Sequence, residues 1–140
     1  MPTDKRTERA VLLSVSILRQ GNYLIASIYA ALDDDELGRF QRELIRQVSE
    51  FRSRGVIIDV AALDVMDSFG SRSLRNLAYM ARLLGAVTVI VGIQPDVAFA
   101  MVQLGMDLGK VHTALGLEEG LVRLDELTGA GRLSPASRPK

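Results

Sequence analysis

VIIDVAALDVMDSFGSRSL, residues 56–74, decides the fold: a short apolar run passes through an acidic turn to a serine that opens a helix. Val56, Ile57, Ile58 and Val60 are β-branched and nearly uninterrupted. That composition suits a strand buried on both faces of a sheet better than one with a wet side. Asp59 is the exception. Beyond the turn, Phe69, Leu74, Leu77, Ala78, Ala81 and Leu84 recur at helical spacing. The pattern predicts a helix with Ser68 in its N-cap slot, the hydroxyl accepting a backbone N–H.

Upstream, residues 11–18 and 23–29 are short runs rich in Val, Ile, Leu and Tyr on either side of Gly21-Asn22, which predicts an antiparallel strand pair. Asp33, Asp34 and Asp35 follow, with Glu36 three residues after Asp33 as a capping box requires. The helix so opened places Leu37, Phe40, Leu44, Ile45, Val48 and Phe51 on one face and Arg39, Arg42, Glu43, Arg46 and Gln47 on the other. Consecutive carboxylates in a first turn serve the helix dipole more readily than a metal. Gly55 is expected to end this helical region.

Downstream, Gly85 closes the second helix and residues 86–91 form another β-branched run, so strand, helix and strand make a parallel right-handed crossover. Pro95 sits where a first helical position tolerates proline. Val97, Ala98, Met101, Val102 and Leu104 are the expected packed face of that third helix, and Gly105 its stop. Residues 110–114 read as a short last strand and 117–127 as a final helix packing Leu121, Leu124 and Leu127. The alternation predicts an α/β fold: a single domain over residues 1–127, a mixed β-sheet with about four helices packed on it. Residues 128–140, rich in Gly, Ser, Pro and basic side chains, read as a mobile tail.

At 140 residues the chain is long enough for one real hydrophobic core. Its 17 basic and 17 acidic residues leave a formal net charge of +0, so nothing steers the domain as a whole toward nucleic acid or an anionic membrane. With no cysteine, disulfides, thiolate metal sites and a cysteine nucleophile are excluded together, and a cytoplasmic location is compatible. Neither a signal peptide nor a membrane-spanning stretch is expected, because the apolar run at 10–18 leads into Arg19, Gln20 and the Gly21-Asn22 turn rather than a cleavage site.

Enzyme chemistry finds little footing. Neither G-x-x-x-x-G-K-[ST] nor G-x-G-x-x-G occurs, so the chain reads as a kinase substrate and not as a kinase. Ser68 stands at a strand-to-helix turn, as the nucleophile of an α/β-hydrolase does, but the G-x-S-x-G elbow is missing. The single histidine, His112, falls in the expected last strand, where a structural or surface role is the plainer reading. Arg72, Arg75 and Arg82 fit a solvated helical face; Arg72 and Arg75, near Ser68, also fit docking of an acidic partner surface.

Ser68 itself has two readings. Serine is among the commonest N-caps, a purely structural role. A helix N-terminus also seats a phosphate well, because free N–H groups and the positive end of the dipole stabilise negative charge. The pair MDSFGS and, one helix later, VGIQPDVAFAMVQLG resembles the STAS family of anti-sigma factor antagonists, over roughly residues 11–127. Within that family the likeness is to the RsbS-type subunit of the bacterial stressosome. Phe69 differs from the small residue more often found after the serine in antagonists that act directly on anti-sigma kinases, which favours the stressosome branch.

The resemblance implies a non-enzymatic regulator of a stress-response sigma factor pathway. Such a subunit holds a switch-type serine/threonine kinase, co-assembles with paralogous STAS sensor subunits, and releases the kinase when phosphorylated on the residue matching Ser68. The kinase supplies ATP and Mg²⁺, so no cofactor is expected here. Asp67 and Phe69 beside the serine, Arg72 and Arg75 on its helix, and Gln94, Pro95 and Asp96 in the second motif are the expected partner-binding residues. Ser71 and Ser73 are rival acceptors, set behind Ser68 because they must first leave helical packing. A direct anti-anti-sigma factor and, more remotely, a serine-nucleophile enzyme are the alternatives.

Overall fold

The computed structural model describes residues 14–130. Strands β1 (Val15–Gln20) and β2 (Tyr23–Ile28) form the expected antiparallel pair around the Gly21-Asn22 turn, with Val15 opposite Ile28 and Gln20 opposite Tyr23. The part of the first predicted strand before Ser14 lies outside the described residues. Helix α1 (Asp34–Phe51) opens on a complete capping box: Asp33 Oδ1 accepts from Glu36 N and Glu36 Oε1 accepts from Asp33 N, both at 2.8 Å. Asp33 is therefore consumed in capping, and no group of residues suited to a metal ion occurs among the described residues.

Strand β3 (Gly55–Asp59) then runs parallel to β2, and helix α2 (Ser68–Leu83) leads to β4 (Val87–Val91), parallel to β3. Helix α3 (Pro95–Gln103), strand β5 (His112–Ala114) and helix α4 (Leu117–Thr128) complete the described chain. The five strands lie in the order β1-β2-β3-β4-β5, one antiparallel edge on an otherwise parallel sheet. This is the predicted α/β architecture with a mixed sheet.

Helices cover both faces, as the apolar run of β3 demands. On one side Phe40, Leu44 and Val48 of α1 and Leu74, Leu77 and Ala81 of α2 pack on Leu24, Val56, Ile58 and Ile90. On the other, Leu124 of α4 packs on Ile25, Ile57, Val89 and Val91, flanked by Leu121 and Leu127. Tyr23 fastens this helix, its hydroxyl donating to Asp125 Oδ1 at 2.6 Å and lying 3.1 Å from Thr128 Oγ1. Thr128, placed in the tail by the sequence, is thus the last residue of α4 and bonded to β2. Residues 131–140 of that tail lie outside the described residues.

Three local expectations need correction. Gly55 does not end the first helix. That helix ends at Phe51, with Arg52 taking the left-handed conformation at φ 51°. Gly55 is instead the first residue of β3, where a Cβ would meet Leu124 Cδ2 at 2.8 Å. Ser68 is not an N-cap, as taken up below. Of the expected packed face of α3 only Val97 and Met101 are buried, whereas Ala98 is exposed, Val102 is 80% exposed and Leu104 72%. A nine-residue helix lying past the end of the sheet has room for one row of contacts.

Gly92 sets how closely the two loops at the strand ends approach. Its φ is +82°, and an added Cβ would lie 2.9 Å from Ala61 Cβ and 3.0 Å from Ala61 N. A left-handed non-glycine residue costs about 1–2 kcal/mol, and the overpacking about 1–3 kcal/mol more. Gly92→Ala is expected to destabilise the domain by about 2–5 kcal/mol, read as a lowered urea midpoint with unchanged slope.

Candidate functional site

Parallel strands deliver their following loops to one end of a sheet, so the 60–67 loop after β3 and the 92–94 turn after β4 meet there. Asp59, the polar break in its apolar strand, turns the chain: its Oδ1 accepts from Ala61 N at 2.9 Å. Val60 N donates to Val91 O at 3.0 Å and Gln94 Nε2 donates to Ala61 O at 2.7 Å, tying the two loops together. The expected residues Gln94, Pro95 and Asp96 are therefore set beside the loop that leads to Ser68. Gln94 is the N-cap residue of α3 without a side-chain capping bond, and Pro95 holds N1 as predicted.

The N-cap of α2 is Asp67, whose Oδ1 accepts from Gly70 N at 2.7 Å while its carbonyl accepts from Ser71 N at 3.0 Å. Ser68 occupies the first helical position. Its hydroxyl is therefore spared the capping role that the sequence assigned to it, and the residue is exposed. Ser71 and Ser73 point inward, at 3% and 7% exposure, and the Ser71 hydroxyl donates to Ser68 O at 3.1 Å. Of the three serines, Ser68 alone offers an oxygen to a partner without unwinding the helix.

Around it the residues divide. Phe69 is 38% exposed and, with Asp67, Val65 and Met66, borders a small apolar cleft of about 100 Å³ against Leu32 and Leu37. Arg72 is exposed one turn along from Ser68. Arg75 is drawn off: its Nη1 donates to Asp107 O at 3.2 Å and its stem borders Gly109, so it serves the loop before β5. Ser68 and the single histidine are not brought together. His112 shares a cavity with Arg82, fourteen positions or about 21 Å of helix beyond Ser68.

Apolar exposure beside the site went unread in the sequence. Val65 is 67% exposed, and Phe99 and Val102 on α3 are 67% and 80% exposed. A signal was available for α3, because PDVAFAMVQ is apolar nearly all round, and such a helix is either enclosed or left with bare surface.

A family model describing the STAS domain matches residues 14–119. The chain belongs to the STAS domain family. Its fold is similar to RsbS of Moorella thermoacetica, solved with a serine-to-glutamate substitution, at 35% identity and TM-score 0.71 over 82% of this chain and 97% of that one. A chain in a structure of the molecular architecture of the stressosome is 34% identical, with TM-score 0.64 over 80% of this chain and 97% of that one. The RsbT co-antagonist protein RsbRA of Bacillus subtilis is 29% identical over 76% of this chain, which spans only 39% of that relative's length.

Because Asp67 caps the helix and Ser68 does not, the two side chains separate experimentally. Asp67→Ala is expected to cost about 0.5–2 kcal/mol. Ser68→Ala, at an exposed N1 position, is expected to stay within about 0.5 kcal/mol of wild type. Chemical denaturation of both variants checks this. A Ser68→Ala cost equal to that of Asp67→Ala would return the cap to the serine.

Proposed function

We propose that this chain is a non-enzymatic switch subunit: a STAS domain that holds a serine/threonine kinase and releases it when Ser68 is phosphorylated. It acts in the cytoplasm as one component of an assembly with paralogous STAS subunits. The observation that carries the reading is the exposed, uncommitted hydroxyl of Ser68 at the first position of α2, against the buried Ser71 and Ser73. Its setting suits a phosphate, which adds about −1.5 to −2 charges at neutral pH where free N–H groups and the helix dipole accept negative charge. Support also comes from the likeness to RsbS and to a stressosome chain, and from a relative named for co-antagonism of RsbT.

Phosphorylation acts here through charge and not through unfolding. The helix terminus offsets about 0.3–1 kcal/mol of the added charge at an exposed site, while a docked partner has to desolvate the phosphate next to Asp67. A penalty of about 3 kcal/mol lowers partner affinity on the order of a hundredfold. Arg72 is the cation placed to contact either the phosphate or an acidic partner side chain.

Incubation of wild type and Ser68→Ala with the cognate kinase and ATP, followed by mass-spectrometric mapping and a kinase-retention assay, tests the proposal. Phosphate on Ser68 and permanent kinase retention by Ser68→Ala are expected. Phosphate on Ser71 or Ser73, or equal kinase release from Ser68→Ala, would remove Ser68 from the mechanism.

A further inference from the structure

The C-terminal half of α2 overhangs the edge of the sheet at β5 and encloses a second, larger cavity of about 430 Å³. Tyr79 and Arg82 of the helix, the buried Thr88 of β4, and Lys110 and His112 at the start of β5 line it. Nothing in the switch proposed above uses these residues.

Three observations mark the place. Thr88 is only 5% exposed, and its Oγ1 is the one buried side-chain polar atom among the described residues without a hydrogen-bond partner. An unmet buried hydroxyl is a cost that a native fold seldom carries without a use for it. Arg82 and Lys110 are exposed cations outside the ion pairs of the described residues, which join Arg46 to Glu43 and Glu50 and Arg123 to Glu126. The third is the field at His112, to which Arg82 contributes. Burial, Arg123 and Arg82 hold the His112 imidazole below its ordinary value, and both charges acting on the ring are positive. Asp107, the acidic group of the adjoining loop, turns its Oδ1 to Gly109 N at 2.7 Å.

We infer that this cavity binds a small phosphorylated molecule, with its phosphate between Arg82 and Lys110 and the Thr88 hydroxyl turning to meet it. A guanidinium fork and a mobile ammonium together suit a tetrahedral oxyanion. The volume exceeds what a bare phosphate fills, leaving room for an organic body against Tyr79 and the apolar Ala78 and Ala86. The hydroxyl gains a partner on binding, and two unpaired cations gain a counter-charge. The site is separate from Ser68 and does not depend on the switch reading.

The single histidine of the chain makes the test direct, since its imidazole resonances are the only ones of their kind in a proton NMR spectrum. The full chain is titrated at constant ionic strength with inorganic phosphate, ribose 5-phosphate, ribose and chloride. A saturable shift of the His112 resonance, with its titration midpoint moving upward, is expected for the two phosphates, and tighter binding for ribose 5-phosphate. Arg82→Gln is expected to weaken binding about tenfold or more, the worth of a charged hydrogen bond, and Thr88→Val several-fold. Arg39→Gln, an exposed change on α1, leaves binding as in wild type. A non-saturating response shared by chloride and phosphate, or unaltered binding in Arg82→Gln, would overturn the site. Binding of inorganic phosphate without preference for ribose 5-phosphate would overturn its assignment to an organic ligand.

Discussion

The double-sided burial of β3 governs the structure. Val56, Ile57 and Ile58 are at most 1% exposed, with their side chains going alternately to the two cores. Burying each stabilises the fold by about 1.5–3 kcal/mol, and this requires a helical layer on both faces as well as paired strands on both edges. Parallel neighbours β2 and β4 satisfy the edges, and parallel pairing in turn forces the crossovers that bring α1 and α2 to one side, while α4, which follows the last strand, covers the other. The glycine at position 120 lets α4 lie close: a Cβ there would meet Val91 Cγ1 at 2.6 Å. Once β3 is fixed this way, the loop after it emerges at the same end as the loop after β4, and the location of Ser68 follows.

A phosphate at that end is compatible with the core because the two share no side chains. Asp67 already satisfies the Gly70 N–H, Ser71 N is held by the Asp67 carbonyl, and the first buried side chain of α2 is Ser71. Charge added at Ser68 therefore acts mainly outward, on whatever covers Phe69 and Arg72. Had the serine been the cap, its modification would have exchanged a neutral hydrogen bond for an ionic one within the helix, coupling signalling to helix stability. Under the proposed switch, separation of the two roles on adjacent residues would leave the scaffold unchanged while the surface charge changes.

Much of this was legible in the sequence because it follows from periodicity and turn chemistry. The β-branched run gave away β3, Gly21-Asn22 marked the hairpin, and Asp33 with Glu36 marked the start of α1. What was illegible depends on distances below one residue or on neighbours remote in sequence. Both Asp67 and Ser68 are competent caps, and helical spacing locates a terminus only to within a residue or two. Gly55 carries the ordinary signature of a helix stop, yet its actual constraint is Leu124, far along the chain on α4. The exposure of Val102 and Leu104 depends on where α3 lies relative to the sheet, which no local pattern contains. The unmet hydroxyl of Thr88 is equally invisible, since threonine is an ordinary strand residue until its surroundings are known.

Helix α2 spans both surfaces. Its first turn presents Ser68 at the strand-end loops, and its last turns present Tyr79 and Arg82 over β5, with Leu74, Leu77 and Ala81 fixed in the core between them. Arg75 fastens the middle of this helix to the chain beside it. It stands midway along α2, half-buried, and its guanidinium holds the Asp107 carbonyl in the loop between α3 and β5. That loop reaches Lys110 and His112 in one direction and α3, with its exposed Phe99 and Val102, in the other. The segment that joins α3 to β5 is thus anchored on the middle of α2, so the position of β5 and that of α3 are both set from the same helix whose packed face rests on the core.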